Sequence, residues 1–354
     1  VTDVFTNPWF RVHFGDAQAH ALWAPERQIA HMLAFEAAFT RALGVTGVIP
    51  ARHAEETARA IMAFAPDLDG LREGTARDGL PVPALVAALR AAIPAEPGAI
   101  HRGATSQDVL DTALSLTLRE VNVLLLARLD GLMDALDDLA QRFGANPLMG
   151  RTRMQAALPV NVADRLATWR DPLDRHVERL VHLRPRVERL QLGGPVGTRA
   201  DLAPHGAAIA AAMAQELGLG NPARAWHTTR DDLADFAGFL SLVTGTLGKM
   251  GQDICLMAQQ GLDEIALAGG GTSSAMPHKQ NPVLAELLVT LARYNAGQLA
   301  GMHHALVHEQ ERSGAAWALE WMILPQMTET TARALAAARA LCASVTRIGG
   351  QAPG

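Results

Sequence analysis

Aromatic side chains make up only 5% of the 354 residues, and there is a single Tyr. Strand-like alternation of apolar and polar residues is nearly absent, which turns the reading away from sandwiches and barrels. Only two Cys occur, Cys255 and Cys342, both inside apolar, helix-like runs. No Cys/His spacing points to a metal site, so no metal and no cofactor are expected. The two thiols are expected to be free and the compartment reducing. The net charge of -5 leaves no basic stripe, which argues against a nucleic-acid partner. No apolar run reaches ~18 residues without a charge, so no membrane span is expected. The opening "VTDVFTNPWF" lacks the basic-then-apolar pattern of a secretory signal. A cytoplasmic protein is the expectation.

Ala and Leu dominate what remains, and both favour helices. A chain of 354 residues suffices for two or three packing units. Residues 25–43 carry a helical period, while 66–104 are punctuated by Pro66, Pro81, Pro83, Pro94 and Pro97 and predict loops and short helices. From 108 to 143 one unbroken pattern predicts a helix of ~50 Å. Further long patterns cover about 159–190, 229–267, 282–310 and 319–346. Their apolar surface is broader than one stripe, which predicts burial on more than one side and hence a homo-oligomer. The division is expected near residue 105, with a small helical domain over 1–104 and a long-helix bundle over 105–354.

Polar islands interrupt this apolar background at helix edges. In "HRGATSQDVLDTA" (101–113), Thr105 or Ser106 can cap the coming helix. Capping explains one hydroxyl but not His101, Arg102, two hydroxyls and two Asp together. Such a helix start also suits a carboxylate. In "GRTRMQAALP" (150–159), expected as a turn between helices, Arg151, Thr152, Arg153 and Gln155 crowd donors together. In "GGGTSSAMPHKQNP" (269–282), Asn281 is expected as an N-cap and Pro282 as the first helical residue. No Gly-Lys-Ser/Thr follows the glycines, so this is not a Walker loop. In "HEQERSGAAWALEW" (308–321), Arg312 is the candidate ligand, against a plain solvated charged face.

Taken together, these islands resemble the fumarase/aspartase superfamily. "SSAMPHKQNP" looks like its Ser-Ser-x-Met-Pro-x-Lys-x-Asn-Pro signature, "GATSQDVLDTA" its Gly-x-Thr-Ser-x-Asp motif, and "GRTRMQAALP" its Gly-Arg-Thr-His-x-Gln stretch. Within it, "LQLGGPVGT", "WHTTRDDLADFAGFLSLVTGTLGKMGQDI" and "HEQERSGAAWALEW" are most similar to the bacterial 3-carboxy-cis,cis-muconate cycloisomerases. The resemblance implies an all-α fold with a central long-helix bundle, assembled as a homotetramer whose active sites are shared between subunits. It implies closure of a small tricarboxylate, 3-carboxymuconate, to 4-carboxymuconolactone in protocatechuate breakdown, the β-ketoadipate route, without a metal. Ser273 and Lys279 are implied as catalytic, with His101 the alternative proton carrier. Thr105, Ser106, Arg151, Arg153, Gln155, Ser274, Asn281 and Arg312 are implied as substrate-binding. Arg230 is a further candidate for a substrate carboxylate. His278 is open between a ligand role and loop packing.

Three departures sharpen the expectation. The superfamily His after Arg-Thr is Arg153 here, and an arginine cannot act as a base. An ion pair between Arg153 and Glu286, within or between subunits, is predicted instead. Positions that hold a nucleotide phosphate in adenylosuccinate lyases match Trp317 and Trp321. That favours a substrate without phosphate over the alternatives, adenylosuccinate or argininosuccinate lyase. A non-catalytic homologue is the third reading, and the intact Ser273, Lys279 and Asn281 argue against it. The small C-terminal domain usual in the superfamily is expected to be short or absent.

Overall fold

The computed structural model of the protein describes residues 3–94, 98–269, 271–272, 276 and 280–350. Before residue 95 lie α1 (Arg11–Phe14), α2 (Ala17–Leu22), α3 (Pro25–Val45), which contains the helical period of 25–43, α4 (Ala51–Met62), and α5 (Leu68–Asp78) and α6 (Val82–Ala92), two short helices in the proline-punctuated stretch. Local signals set their ends. Asp16 caps α2 by accepting the Ala19 N–H at 2.9 Å. Gly79 ends α5 at φ 78°, a conformation glycine enters without a Cβ clash.

Beyond this region the helices lengthen. α7 (Ser106–Phe143) runs 38 residues, roughly 57 Å at 1.5 Å per residue. Val121, Leu125, Leu129, Leu132, Leu136 and Leu139 recur at three- and four-residue steps and are at most 1% exposed. That stripe fixes α7 in the bundle. A hairpin of β1 (Pro147–Thr152) and β2 (Gln155–Asn161) leads into α8 (Val162–Val187), then α9 (Gly206–Leu217) and α10 (Asp231–Met257). Short strands β3 (Ile265–Leu267), β4 (Gly271–Thr272) and β5 (Gln280–Asn281) precede α11 (Val283–His304) and α12 (Ala315–Ser344). Finally β6 (Val345–Ile348) pairs antiparallel with β3. The closest helix pair, α10 and α11, depends on glycine. A Cβ on Gly248 would lie 2.5 Å from the Ala292 Cβ, and one on Gly251 2.5 Å from the Ala285 carbonyl.

Two expectations change here. The "GRTRMQAALP" stretch is a hairpin rather than a plain turn, because Thr152 pairs with Gln155 and leaves a two-residue tip. Its tip residues Arg153 and Met154 sit at φ 49° and 68°, a combination that matches the twist of paired strands. The division at residue 105 follows the chain but not the cores. Ile209, Ala210, Met213 and Ala214 of α9 return to the smaller core with Phe35, Phe39 and Leu89, and Val109 and Ala113 of α7 join them. Conversely, α2 packs on α7 and α12, and its Ala19 belongs to the bundle core.

Candidate active site

The head of α7 is assembled around one buried carboxylate. Thr105 is the N-cap, and Asp108 Oδ2 accepts its N–H at 3.0 Å, closing the capping box. Asp108 also accepts the N–H groups of Gly193 at 2.7 Å and Gly194 at 2.9 Å, and its Oδ1 lies 2.8 Å from His227 Nε2. Hydrogen bonds to a charged group contribute about 1.5–3 kcal/mol each, so this aspartate anchors the 193–197 loop to the helix start. Both glycines are required. A Cβ on Gly193 would lie 2.6 Å from the Ala225 Cβ, and Gly194, at φ 71°, lies against the Gly103 carbonyl. Arg312, reaching in after α11, donates to Thr105 Oγ1 and, at 3.0 Å, to the Pro195 carbonyl. His101 sits just before the cap, its Nδ1 2.6 Å from Glu36 Oε1. The fold therefore brings His101, Thr105, Ser106 and Arg312 to one end of the bundle. A cavity of about 750 Å³ is lined by Thr198, Arg199, Arg224, His227, Gln310 and Glu311 among others, and His227, the partner of Asp108, is the residue that ties it to this end.

One turn into α7, Asp111 organises a second buried network. Arg230 meets it through two nitrogens at 2.7 and 3.1 Å and meets Glu320 through Nε at 2.8 Å and through a second, shorter contact. Burial opposes the Arg230 charge, but Asp111 and then Glu320 outweigh it and drive its pKa upward. Trp226 stacks on this guanidinium at 4.8 Å. Arg230 is thus committed to two carboxylates, and the candidate role on a substrate carboxylate falls away. Trp317 is buried with Nε1 donating to Asp111 Oδ1 at 3.1 Å, and Trp321 packs edge-on to it at 4.7 Å.

The other candidates lie at the opposite end of α7. Arg142, at its tail, and Asn146, just beyond it, donate to the carbonyls of Val345 and Ile348 in β6. The hairpin follows directly. Arg151 donates to Glu264 at 2.9 Å, while Arg153 and Gln155 are exposed at the tip. Asn281 lies at this end too, paired with Gly271. It is not the N-cap expected. Pro282 holds that position and α11 begins at Val283, because Asn281 is drawn into the strand pair. No ion pair joins Arg153 to Glu286 within the chain, among the described residues. A cavity of about 460 Å³ here is lined by Arg151, Arg153, Arg165, Lys249, Asp253 and Glu264 among others. Ser273, Ser274, His278 and Lys279 lie outside the described residues. With 38 residues in α7, the two groups of candidates are separated by roughly 57 Å of helix.

Sequence reasoning missed Glu36 and the pairing of His227 with Asp108. Glu36 carried a signal, an acid between Phe35 and Ala37 on an apolar helix face. Its partner lies 65 residues away, which no local pattern reveals.

Residues 25–297 match the family described as Lyase. A 3-carboxy-cis,cis-muconate cycloisomerase of Pseudomonas aeruginosa is 40% identical over 342 residues, 95% of this chain and 74% of that protein. A protein of the same name from Pseudomonas putida is 35% identical over 347 residues, 96% of this chain and 82% of that protein. The crystal structure of the 3-carboxy-cis,cis-muconate lactonizing enzyme from Pseudomonas putida matches with a TM-score of 0.88 at 36% identity, covering 96% of this chain and 77% of that one.

Proposed function

This chain belongs to the lyase family, with an all-α, fumarase/aspartase-like fold, and on that premise we propose that it closes 3-carboxy-cis,cis-muconate to 4-carboxymuconolactone. The observation that carries this reading within the family is Trp317. It is a buried indole, hydrogen-bonded to Asp111, at a position that by resemblance holds the nucleotide phosphate in adenylosuccinate lyases. An indole has one donor and no charge, so the site favours a substrate whose anions are carboxylates only. The relatives of that name, matched over nearly the whole chain, support the same choice.

In this reaction a carboxylate oxygen adds across a C=C bond. The displaced electron pair moves into the neighbouring carboxylate as an aci-carboxylate, and the carbon between them then takes a proton. Such added charge is stabilised by preorganised donors at ~3–4 kcal/mol each. Thr105, Ser106 and Arg312 supply donors at the head, and Arg151, Arg153, Gln155 and Asn281 supply them from the far end. Ser274 and Lys279 are added by resemblance. The proton carrier is Ser273, by resemblance, or alternatively His101, whose imidazole suits proton transfer.

The separation along α7 argues that one chain holds two parts of a site and that a homotetramer joins them across subunits, where Arg153 would also meet Glu286. The outward faces of α8 and α10 suit such contacts, since Val181 and Leu242 are more than half exposed and a Cβ at Gly238 or Gly245 would meet nothing within 4 Å. No described helix is long and apolar enough to cross a membrane, and a cytoplasmic location accords with that. The test is the ultraviolet diene band of 3-carboxymuconate mixed with purified protein. Its loss, with adenylosuccinate left unchanged, is the expected outcome. A stable diene band alongside turnover of adenylosuccinate overturns the reading.

A further inference from the structure

We propose that Glu36 is a positioning residue for His101, fixing its tautomer so that Nε2 carries the proton delivered to substrate; this rests on the lactonisation proposed above.

Glu36 lies in the middle of α3, fully buried. One oxygen, Oε1, meets His101 Nδ1 at 2.6 Å, while the other, Oε2, is buried without a hydrogen-bond partner. A carboxylate withdrawn from water is costly unless its lone pairs are filled. An acid kept there only to hold two segments together would be expected to collect more donors, as Asp108 does with three backbone N–H groups. Among the described residues, Glu36 is served by the His101 ring alone.

The approach to His101 is pinned from the same side. Thr40, one turn along α3, donates to the Ala99 carbonyl at 3.2 Å, and Arg90 of α6 donates to the Ile100 carbonyl at 2.9 Å. His101 itself takes φ 55°, a conformation that non-glycine residues adopt rarely and that recurs where geometry serves function. The outcome is a ring turned inward by Nδ1. Nε2 bonds no other described residue, and Thr105, the N-cap of α7 and partner of Arg312, follows four residues on.

With the Nδ1 hydrogen donated to Glu36, the neutral ring has its lone pair at Nε2, and Nε2 takes up a proton from water before the reaction, giving an imidazolium that the Glu36 carboxylate stabilises. In the reaction the new C–O bond forms and the C=C pair moves into the aci-carboxylate. That pair then takes the proton from Nε2 to make the C–H bond. The ring is left neutral with its hydrogen on Nδ1, and Nε2 recovers a proton from water. Glu36 touches no reacting atom in this scheme and acts only through His101.

The experiment uses the whole protein labelled with 15N-histidine, with His101 assigned by difference against His101→Gln. The unaltered protein is expected to show the neutral His101 ring protonated at Nδ1, and Glu36→Ala to lose that signature. In the 3-carboxymuconate assay, Glu36→Ala is expected to lower kcat at least ~100-fold, the lower end of general acid–base effects, with KM changed less than threefold. The same change in the His101→Gln background is expected to add less than threefold, since the two residues act as one unit. Glu36→Gln, which keeps an acceptor for Nδ1–H and nearly the same shape, is expected to restore the tautomer and stands in where Glu36→Ala does not fold. Retention of the Nδ1 signature in Glu36→Ala, or a kcat within threefold of the unaltered enzyme, overturns the proposal. If the unaltered protein leaves 3-carboxymuconate untouched, the reaction assigned above fails, while the tautomer signal still decides whether Glu36 sets His101.

Discussion

The two ends of the bundle are built on opposite terms. At the head of α7, Asp108, Asp111, Arg230 and Glu320 are at most 2% exposed and hold one another and the loops around them. At the tail, Arg153 and Gln155 stand on a hairpin tip in solvent, and Arg151 has one carboxylate partner. The head spends its charges on its own architecture, with Arg312 donating to Thr105 and His101 held by Glu36. The tail has charges without architecture around them. The charges at one end are answered within the chain, and those at the hairpin tip face solvent.

Substituting at each end should expose the contrast, and the largest effect belongs to the head. Arg230→Ala strands Asp111 and Glu320 together without their cation. A broken buried pair costs about 3–5 kcal/mol, so a large fall in the urea midpoint is expected, with loss of soluble protein at the extreme. A midpoint within error of the unaltered protein would show the network to be dispensable. At the tail, Arg153→Ala is expected to leave the midpoint within ~1 kcal/mol, as for exposed charges generally. Activity should nevertheless fall at least ~100-fold, the scale of one lost transition-state donor. A variant of full activity would remove Arg153 from the site.

Mixing sharpens the comparison further. Arg312→Ala damages only the head and Arg153→Ala only the tail. Co-refolded in equal amounts, the two inactive proteins should recover activity well above either parent, because some assembled sites then combine an intact head with an intact tail. Activity no higher than the parents' would mean that each site is drawn from one chain.

The smallest effect lies between the ends. His176, on α8, is buried with Nε2 2.8 Å from Thr246 Oγ1. Burial, then the nearby Arg179 and Arg175, lower its pKa to about 4. The unfolded chain, with a histidine near ~6.5, therefore binds more protons than the native one between those values. Stability tied to His176 is complete above about pH 6.5 and falls as pH drops toward 4. Urea midpoints across that window should fall less steeply in His176→Gln, and an unchanged slope would assign the acid sensitivity elsewhere.

Most of the helical frame was legible because Leu and Ala recur at helical spacing from 108 to 143 and in the later runs. The head was half legible. Thr105 and Ser106 precede an apolar run, which is a helix-start pattern, and His101 stands just before them. Glu36, His227 and Glu320 were not, since each is defined by a partner distant in sequence. The hairpin hid because its tip holds Arg153 and Met154 at positive φ, where glycine or asparagine would have announced it. Asn281 and Pro282 read as cap and first turn until a strand pair claimed the asparagine. The fold boundary at 105 failed on α9, whose apolar face does not say which core it joins.

The unbroken length of α7 has a consequence for how this protein can change. A helix turns about 100° and rises about 1.5 Å with every residue. One residue inserted between Leu125 and Leu129 would rotate the hairpin a quarter-turn or more against the head and carry every leucine beyond it off the stripe. The shortest step that brings the phase back to within about 20° is seven residues, and that step moves the hairpin by about 10 Å. The distance between the two ends is therefore quantised, and indels that drift freely through loops are barred from the middle of this helix.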